Sequence, residues 1–214
     1  MHLRNAMQLP VHRRAALRFL RALVWTLLAC TLPVGAQVQS ERVLPDHAWR
    51  LLEGAPGVRW TGPTGARANV QVVCDANCPH CARLDTVLRE DWPGLAVRWI
   101  PVAYFTPESE AMAASILAAP DASGALHDNY RGYDHRRRRG GHVATDAAGR
   151  LGRELSVVRS QWERWGGFTP MVVVRTGDGR IIQAMGSHGP LLESALQQAA
   201  PPGRRYESWK GGRQ

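Results

Sequence analysis

Three cysteines fall within eight residues in the stretch VVCDANCPHCARL (Val72–Leu84): Cys74, Cys78 and Cys81. Such a set can be a redox pair with a further thiol, or three ligands for a metal. Pro79 suits the first turn of a helix, where its missing N–H is not needed. Cys78 then lies directly before that helix, where the positive end of the helix dipole favours a thiolate and lowers the expected pKa. Cys81 lies one turn in, on the face that carries Leu84 and Leu88, and is expected to be less exposed. That asymmetry suits disulfide exchange, with Cys78 attacking and Cys81 resolving the mixed disulfide. His80, between them, would favour the thiolate further when protonated and make the disulfide more oxidising. Cys74 shares a strand face with Val70 and Val72 and is expected to pack in the core as a small apolar residue. Its sharper alternative is a third redox thiol able to trap Cys78 or Cys81.

Three rivals use the same residues. The spacing Cys74-x3-Cys78-x2-Cys81 also matches the iron–sulfur motif of radical SAM enzymes. A zinc site could use the three cysteines with His80, although a ligand between two others strains the usual tetrahedral spacing. A secreted, non-enzymatic binding module could carry a Cys78–Cys81 disulfide as a staple, but so small a loop gains little from closure.

The elements that must position these residues can be read along the chain. His47 to Glu53 suggests a short helix and Val58 to Thr61 a short strand. The valine-rich run Val70 to Asp75 reads as a buried strand, followed by the helix from Pro79, which Pro93-Gly94 stops. Leu95 to Phe105 reads as a second strand. Residues 107–165 read as a largely helical block, in which Leu151, Leu155, Val158, Trp162 and Trp165 make an amphipathic stripe. Residues 121–145 read as rich in loops. Met171 to Val174 and Arg180 to Met185 read as strands joined by the turn Thr176-Gly177-Asp178-Gly179, and Leu191 to Ala199 as a closing helix. The predicted fold is an α/β mixed sheet with helices on its faces. The expected organisation is a signal peptide at 1–36, a lead-in at 37–68, the main domain at 69–200 and a basic, disordered tail at 201–214.

The first 36 residues combine five arginines, an apolar run from Ala22 to Leu32 and small residues at Pro33–Ala36, the pattern of a cleaved export signal. Lipidation at Cys30 is the less favoured alternative. Export to the periplasm leaves three mature cysteines, an odd count that suggests one pair and a free thiol. Of the formal net charge of +9, five positive charges lie in the signal, so the mature chain is closer to neutral. The run Arg136–Arg139 reads as a solvated loop. No aromatic platform is interleaved with it, and no nucleic-acid partner is expected.

The motif Cys78-Pro79-His80-Cys81 after a strand, with Thr169-Pro170 before a later strand, resembles the periplasmic disulfide oxidoreductases of thioredoxin fold. The Pro-His dipeptide is similar to that of DsbA. The stretches VVCDANCPHCARL, TPESEAMAASILAAPD and GFTPMVVV resemble the DsbC/DsbG family of thiol:disulfide interchange proteins, DsbG most closely. The resemblance runs from about His47 to Ala199 and implies a thioredoxin-like fold with a helical insertion. It implies a cis Thr169–Pro170 peptide beside the cysteines, with Thr169 and Pro170 shaping the substrate groove. It also implies that no dissociable cofactor is needed. The implied partners are exported proteins with cysteines and a membrane thiol-disulfide redox partner. Only about ten residues separate the signal from His47, so the family's N-terminal dimerisation domain is missing from this reading. His80 argues for an oxidant, whereas the DsbG-like body argues for a reductase or isomerase.

Overall fold

The computed structural model describes residues 41–145 and 150–202. The signal-like segment with Cys30, and the tail beyond residue 202, lie outside the described residues. The described elements run β1 (Arg42–Leu44), α1 (Asp46–Gly54), β2 (Val58–Thr61), β3 (Val70–Cys74), α2 (Pro79–Glu90), β4 (Val97–Pro101), α3 (Ser109–Ala118), α4 (Ala122–Arg131), α5 (Arg153–Arg164), β5 (Met171–Arg175), β6 (Ile181–Met185) and α6 (Pro190–Gln197).

The strands form one six-stranded sheet in the order β1-β6-β5-β3-β4-β2. β3 and β4 are parallel, in register from Val70 opposite Val97 to Cys74 opposite Pro101. Parallel neighbours need a crossover, and α2 supplies it. β5 runs antiparallel to both β3 and β6. A parallel β-α-β unit beside an antiparallel hairpin, closed by a C-terminal helix, is the thioredoxin-like α/β arrangement, here with the helices α3 to α5 inserted between β4 and β5.

Every residue of β3 is buried, so both sheet faces carry helices. Because strand side chains alternate, Val70, Val72 and Cys74 face one core with Leu84 and Leu88 of α2, Met112 and Ile116 of α3, and Leu192 and Leu196 of α6. Val73, Ile100, Val173 and Ile181 face the other, with Trp49 and Leu52 of α1 and Leu155, Val158 and Trp162 of α5. The tryptophan stripe read from the sequence is thus core packing.

Two elements differ from the expected layout. Residues 42–44 form an edge strand paired with β6, so the folded body begins before His47. Residues 122–131, read as loop, form α4. The Asp121 side chain caps it by accepting from the Gly124 N–H at 2.9 Å.

Candidate functional site

The segment Asp75–Asn77 joins β3 to α2 and is gripped from three sides. The buried Asp75 carboxylate accepts four hydrogen bonds: from the Asn77 N–H (2.8 Å), the Ser109 hydroxyl (2.7 Å), and the Tyr104 and Phe105 N–H groups (2.8 and 2.9 Å). It therefore ties the start of α2 to the loop that follows β4. The three carbonyls of the segment accept from elsewhere: Asp75 O from Tyr130 Oη (3.1 Å), Ala76 O from Asn129 Nδ2 (2.8 Å) and Asn77 O from Tyr133 Oη (2.8 Å). Asn77 Oδ1 also accepts from the Gly140 N–H at 2.9 Å. Gly140 has no room for a side chain, because a Cβ would collide with the Asn129 amide.

This scaffold fixes Cys78 as the N-cap of α2, with Pro79 in the first turn. The Cys81 and Ala82 N–H groups both donate to the Cys78 carbonyl. The Cys78 thiol donates to the Thr169 carbonyl at 3.7 Å. Thr169–Pro170 is a cis peptide, as the resemblance implies. The chain reaches it from α5 through Gly166 and Gly167, both at positive φ. A Cβ on Gly166 would lie 2.7 Å from the Phe168 ring, so that turn needs glycine. The Thr169 hydroxyl is 2.8 Å from Tyr104 Oη, and the Tyr104 ring rests on Trp162.

Cys74 and Cys81 form a disulfide, with Cα atoms 6.3 Å apart, and Cys78 is a buried free thiol. Cys74 does lie on the expected core face, but it is a bonded cysteine and not merely an apolar residue. The reason is positional: β3 ends beneath the first turn of α2, so Cys74 and Cys81 come within the usual disulfide range. All three cysteines are essentially inaccessible, at 0, 1 and 0 % exposure for Cys74, Cys78 and Cys81, so Cys78 is not the more open of its pair.

The expected depression of the Cys78 pKa is also reversed. Burial pushes the thiol up, and the nearby Asp75 charge adds to the rise. The Thr169 hydroxyl and the Cys81 and His80 backbone N–H groups act the other way without overcoming it. The helix-start effect is present, but desolvation is larger.

His80 is exposed on α2, whereas Cys78 and Cys81 are buried, so the four proposed zinc donors do not converge. With Cys74 and Cys81 joined to each other, Cys78 is the one free thiol among the described residues. Among the described residues no group of three or more His, Cys, Asp or Glu side chains is placed to hold a metal ion.

The Arg136–Arg139 run is exposed. Asp134 closes the turn, accepting from the Arg136 and Arg137 N–H groups and pairing its backbone with Arg139. Arg138 lies 4.7 Å over the Phe105 ring. Among the described residues no helix is long and apolar enough to cross a membrane.

The residues sequence reasoning missed are Asp75, Asn77, Tyr104, Asn129, Tyr130 and Tyr133. Asp75 and Asn77 had a local signal, since Asp-x-Asn before a helix is a turn pattern in which the carboxylate bonds the backbone two residues on. The others come from distant segments.

No protein-family model matches the chain, and no curated protein matches it. Among solved structures it is similar to a disulfide interchange protein from Neisseria gonorrhoeae, at 21% identity over 67% of this chain and 95% of that one, with a TM-score of 0.48. It is similar to a periplasmic thioredoxin-like protein from Salmonella enterica serovar Typhimurium, at 21% identity over 73% and 97%, with a TM-score of 0.48. It is also similar to the catalytic domain of Proteus mirabilis ScsC, at 17% identity over 71% and 96%, with a TM-score of 0.47.

Proposed function

We propose that this chain is an exported thiol-disulfide oxidoreductase of DsbC/DsbG-like character acting on protein cysteines. The observation that carries the reading is the Cys78 thiol at the start of α2, bonded to the Thr169 carbonyl. In this reading Cys78 attacks a sulfur of the substrate and Cys81, one turn along, resolves the mixed disulfide. Thr169 and Pro170 flank the sulfur and offer backbone to an extended substrate segment. His80, exposed beside Cys78, meets the substrate and tunes the pair. The working compartment is the periplasm, and a membrane redox partner resets the cysteines.

Insulin reduction and refolding of scrambled RNase test this directly. Wild-type protein accelerates at least one of them, and Cys78→Ala falls to the rate without protein. If Cys78→Ala is as active as wild type, the enzyme reading is wrong. The reduction potential of the Cys78–Cys81 couple then assigns direction. A value near about −120 mV gives an oxidant, and one near about −180 mV or lower an isomerase or reductase.

The buried Cys74–Cys81 disulfide favours one second reading, a non-enzymatic module in which that bond is a staple. Closing a loop this short stabilises by only about 2 kcal/mol. The same assays separate the two, because a stapled module is inactive with or without Cys78.

A further inference from the structure

We propose that Cys74 is a third redox thiol, and that the oxidised protein interconverts by internal exchange between a Cys74–Cys81 disulfide with Cys78 free and a Cys78–Cys81 disulfide with Cys74 free. The inference rests on the reading of Cys78 as the reactive thiol.

Cys74, Cys78 and Cys81 belong to one buried cluster. Cys81 is bonded to Cys74 below it. Cys78 precedes it by three residues at the helix start, with the Cys81 N–H on the Cys78 carbonyl at 3.1 Å. Cys78 is the N-cap and Cys81 lies in the first turn, so the two are joined across that turn. Cys78 is also the thiol left over. Both sulfurs of the disulfide are buried, so a thiol from solution reaches them only if the core opens. Cys78 is inside that core already, and a reactant held beside its target gains an effective concentration no solution thiol matches.

The step balances without a further reagent. The Cys78 thiolate attacks Cys81 Sγ, the Cys78–Cys81 bond forms, and the Cys81–Cys74 bond breaks. Cys74 leaves as a thiolate and takes up the proton that Cys78 lost. One disulfide and one thiol are present on each side, so nothing is oxidised or reduced overall.

The two isomers differ in what they offer a substrate. With Cys78–Cys81 formed, a substrate thiolate attacks Cys78 Sγ, the mixed disulfide forms there, and Cys81 leaves as a thiolate. With Cys74–Cys81 formed, the same oxidising equivalents lie under α2 and Cys78 is only a thiol. Cys74 thus holds the disulfide away from the Thr169 side of the site, and Cys78, which lies against the Thr169 carbonyl, returns it there.

The test uses the oxidised full chain carrying Cys30→Ala, so that Cys74, Cys78 and Cys81 are its only cysteines. The protein is quenched with acid, which halts exchange by removing thiolate, then unfolded in the presence of N-ethylmaleimide and digested without reduction. Wild type is expected to carry the label on Cys78 in one fraction and on Cys74 in another. Label confined to either cysteine alone overturns the proposal. A second readout is reduction by dithiothreitol. Oxidised Cys74→Ala holds only the Cys78–Cys81 bond and is expected to be reduced several-fold faster than wild type, with far-UV circular dichroism and urea midpoint confirming its fold. Equal rates overturn the proposal. The insulin assay on Cys78→Ala keeps the two claims apart. Loss of activity there with label on one cysteine in wild type removes only the exchange, whereas retained activity removes the oxidoreductase reading itself.

Discussion

The Cys78 thiol lies among titratable and polar groups from several elements. Asp75 faces it from the β3–α2 turn, Tyr104 from the loop after β4, Tyr130 and Tyr133 from the end of α4 and the turn beyond, and Thr169 from the approach to β5, with His80 on its own helix. Burial raises all three phenols, Tyr133 to about 12, so at neutral pH they are hydroxyl donors and carry no charge. Cys78 is held above its ordinary value of 9.0, chiefly by burial. Two consequences follow with a definite sign. Alkylation of Cys78 by iodoacetamide, in protein with Cys74–Cys81 intact, is expected to keep rising about tenfold per pH unit past the point where an exposed thiol levels off. A plateau below neutral pH would show that the helix-start effect outweighs desolvation. Stability moves the other way. Above the unfolded thiol's pKa the unfolded chain has lost a proton that the folded chain retains, so this contribution is complete below about pH 9 and declines as pH rises through the folded value. Asp75→Asn tests the scaffold at the same scale. An amide keeps one acceptor oxygen where the carboxylate has two, so buried N–H groups among Asn77, Tyr104 and Phe105 lose a partner. Urea denaturation is expected to show a loss of about 3 kcal/mol.

At the scale of elements, α2 and β3 were legible because their residues follow simple rules: a run of valines for a buried strand, and a proline followed by apolar residues at helical spacing. α4 was not, and the reason is specific. Ser123 and Gly124 in its first turn are weak helix formers, and its inner face uses Asn129 and Tyr130 where an apolar stripe would place leucines. Those two spend their polar atoms on the carbonyls of Ala76 and Asp75, contacts that do not register as hydrophobic periodicity. The Cys74–Cys81 bond was hidden for a similar reason. Spacing alone favoured the i,i+3 pair at the helix start, and only the depth at which β3 ends beneath α2 brings Cys74 to Cys81. The cap gives α4 a direct test. Asp121→Ala removes the acceptor of the Gly124 N–H and is expected to cost about 1 kcal/mol in urea denaturation. Since α4 holds Asp75–Asn77 in place, the same variant is expected to exchange the amide protons of residues 76–78 faster than wild type. Unchanged exchange there would mean that the loop after β4 holds the segment without α4.

At the scale of the whole molecule, the sheet separates two cores and hands each a different task. The face under α2 carries the cysteines, and the opposite face, under α1 and α5, supplies the support on which β5 presents Thr169. β1 completes the sheet edge on the supporting side. Its Leu44 is 3 % exposed and belongs to the cluster with Trp49, Val173 and Ile181, whereas the neighbouring Val43 is 59 % exposed on the other face of the strand. Arg42 Nη1 donates to the Trp165 carbonyl at 3.1 Å, fastening the same edge to the end of α5. Three residues are too few for periodicity to reveal a strand, and the sequence read them as a lead-in. If instead they are part of the folded body, truncating the inward residue must cost far more than truncating the outward one. Leu44→Ala is expected to destabilise by about 2–3 kcal/mol through lost burial and the cavity left behind. Val43→Ala, which loses no buried contact, is expected to stay within about 0.5 kcal/mol of wild type. Urea midpoints on the pair decide the matter. Equal, small effects would detach residues 42–44 from the domain. A large effect at Leu44 alone makes the edge strand part of the frame that carries β6, β5 and, at the head of β5, the residues facing Cys78.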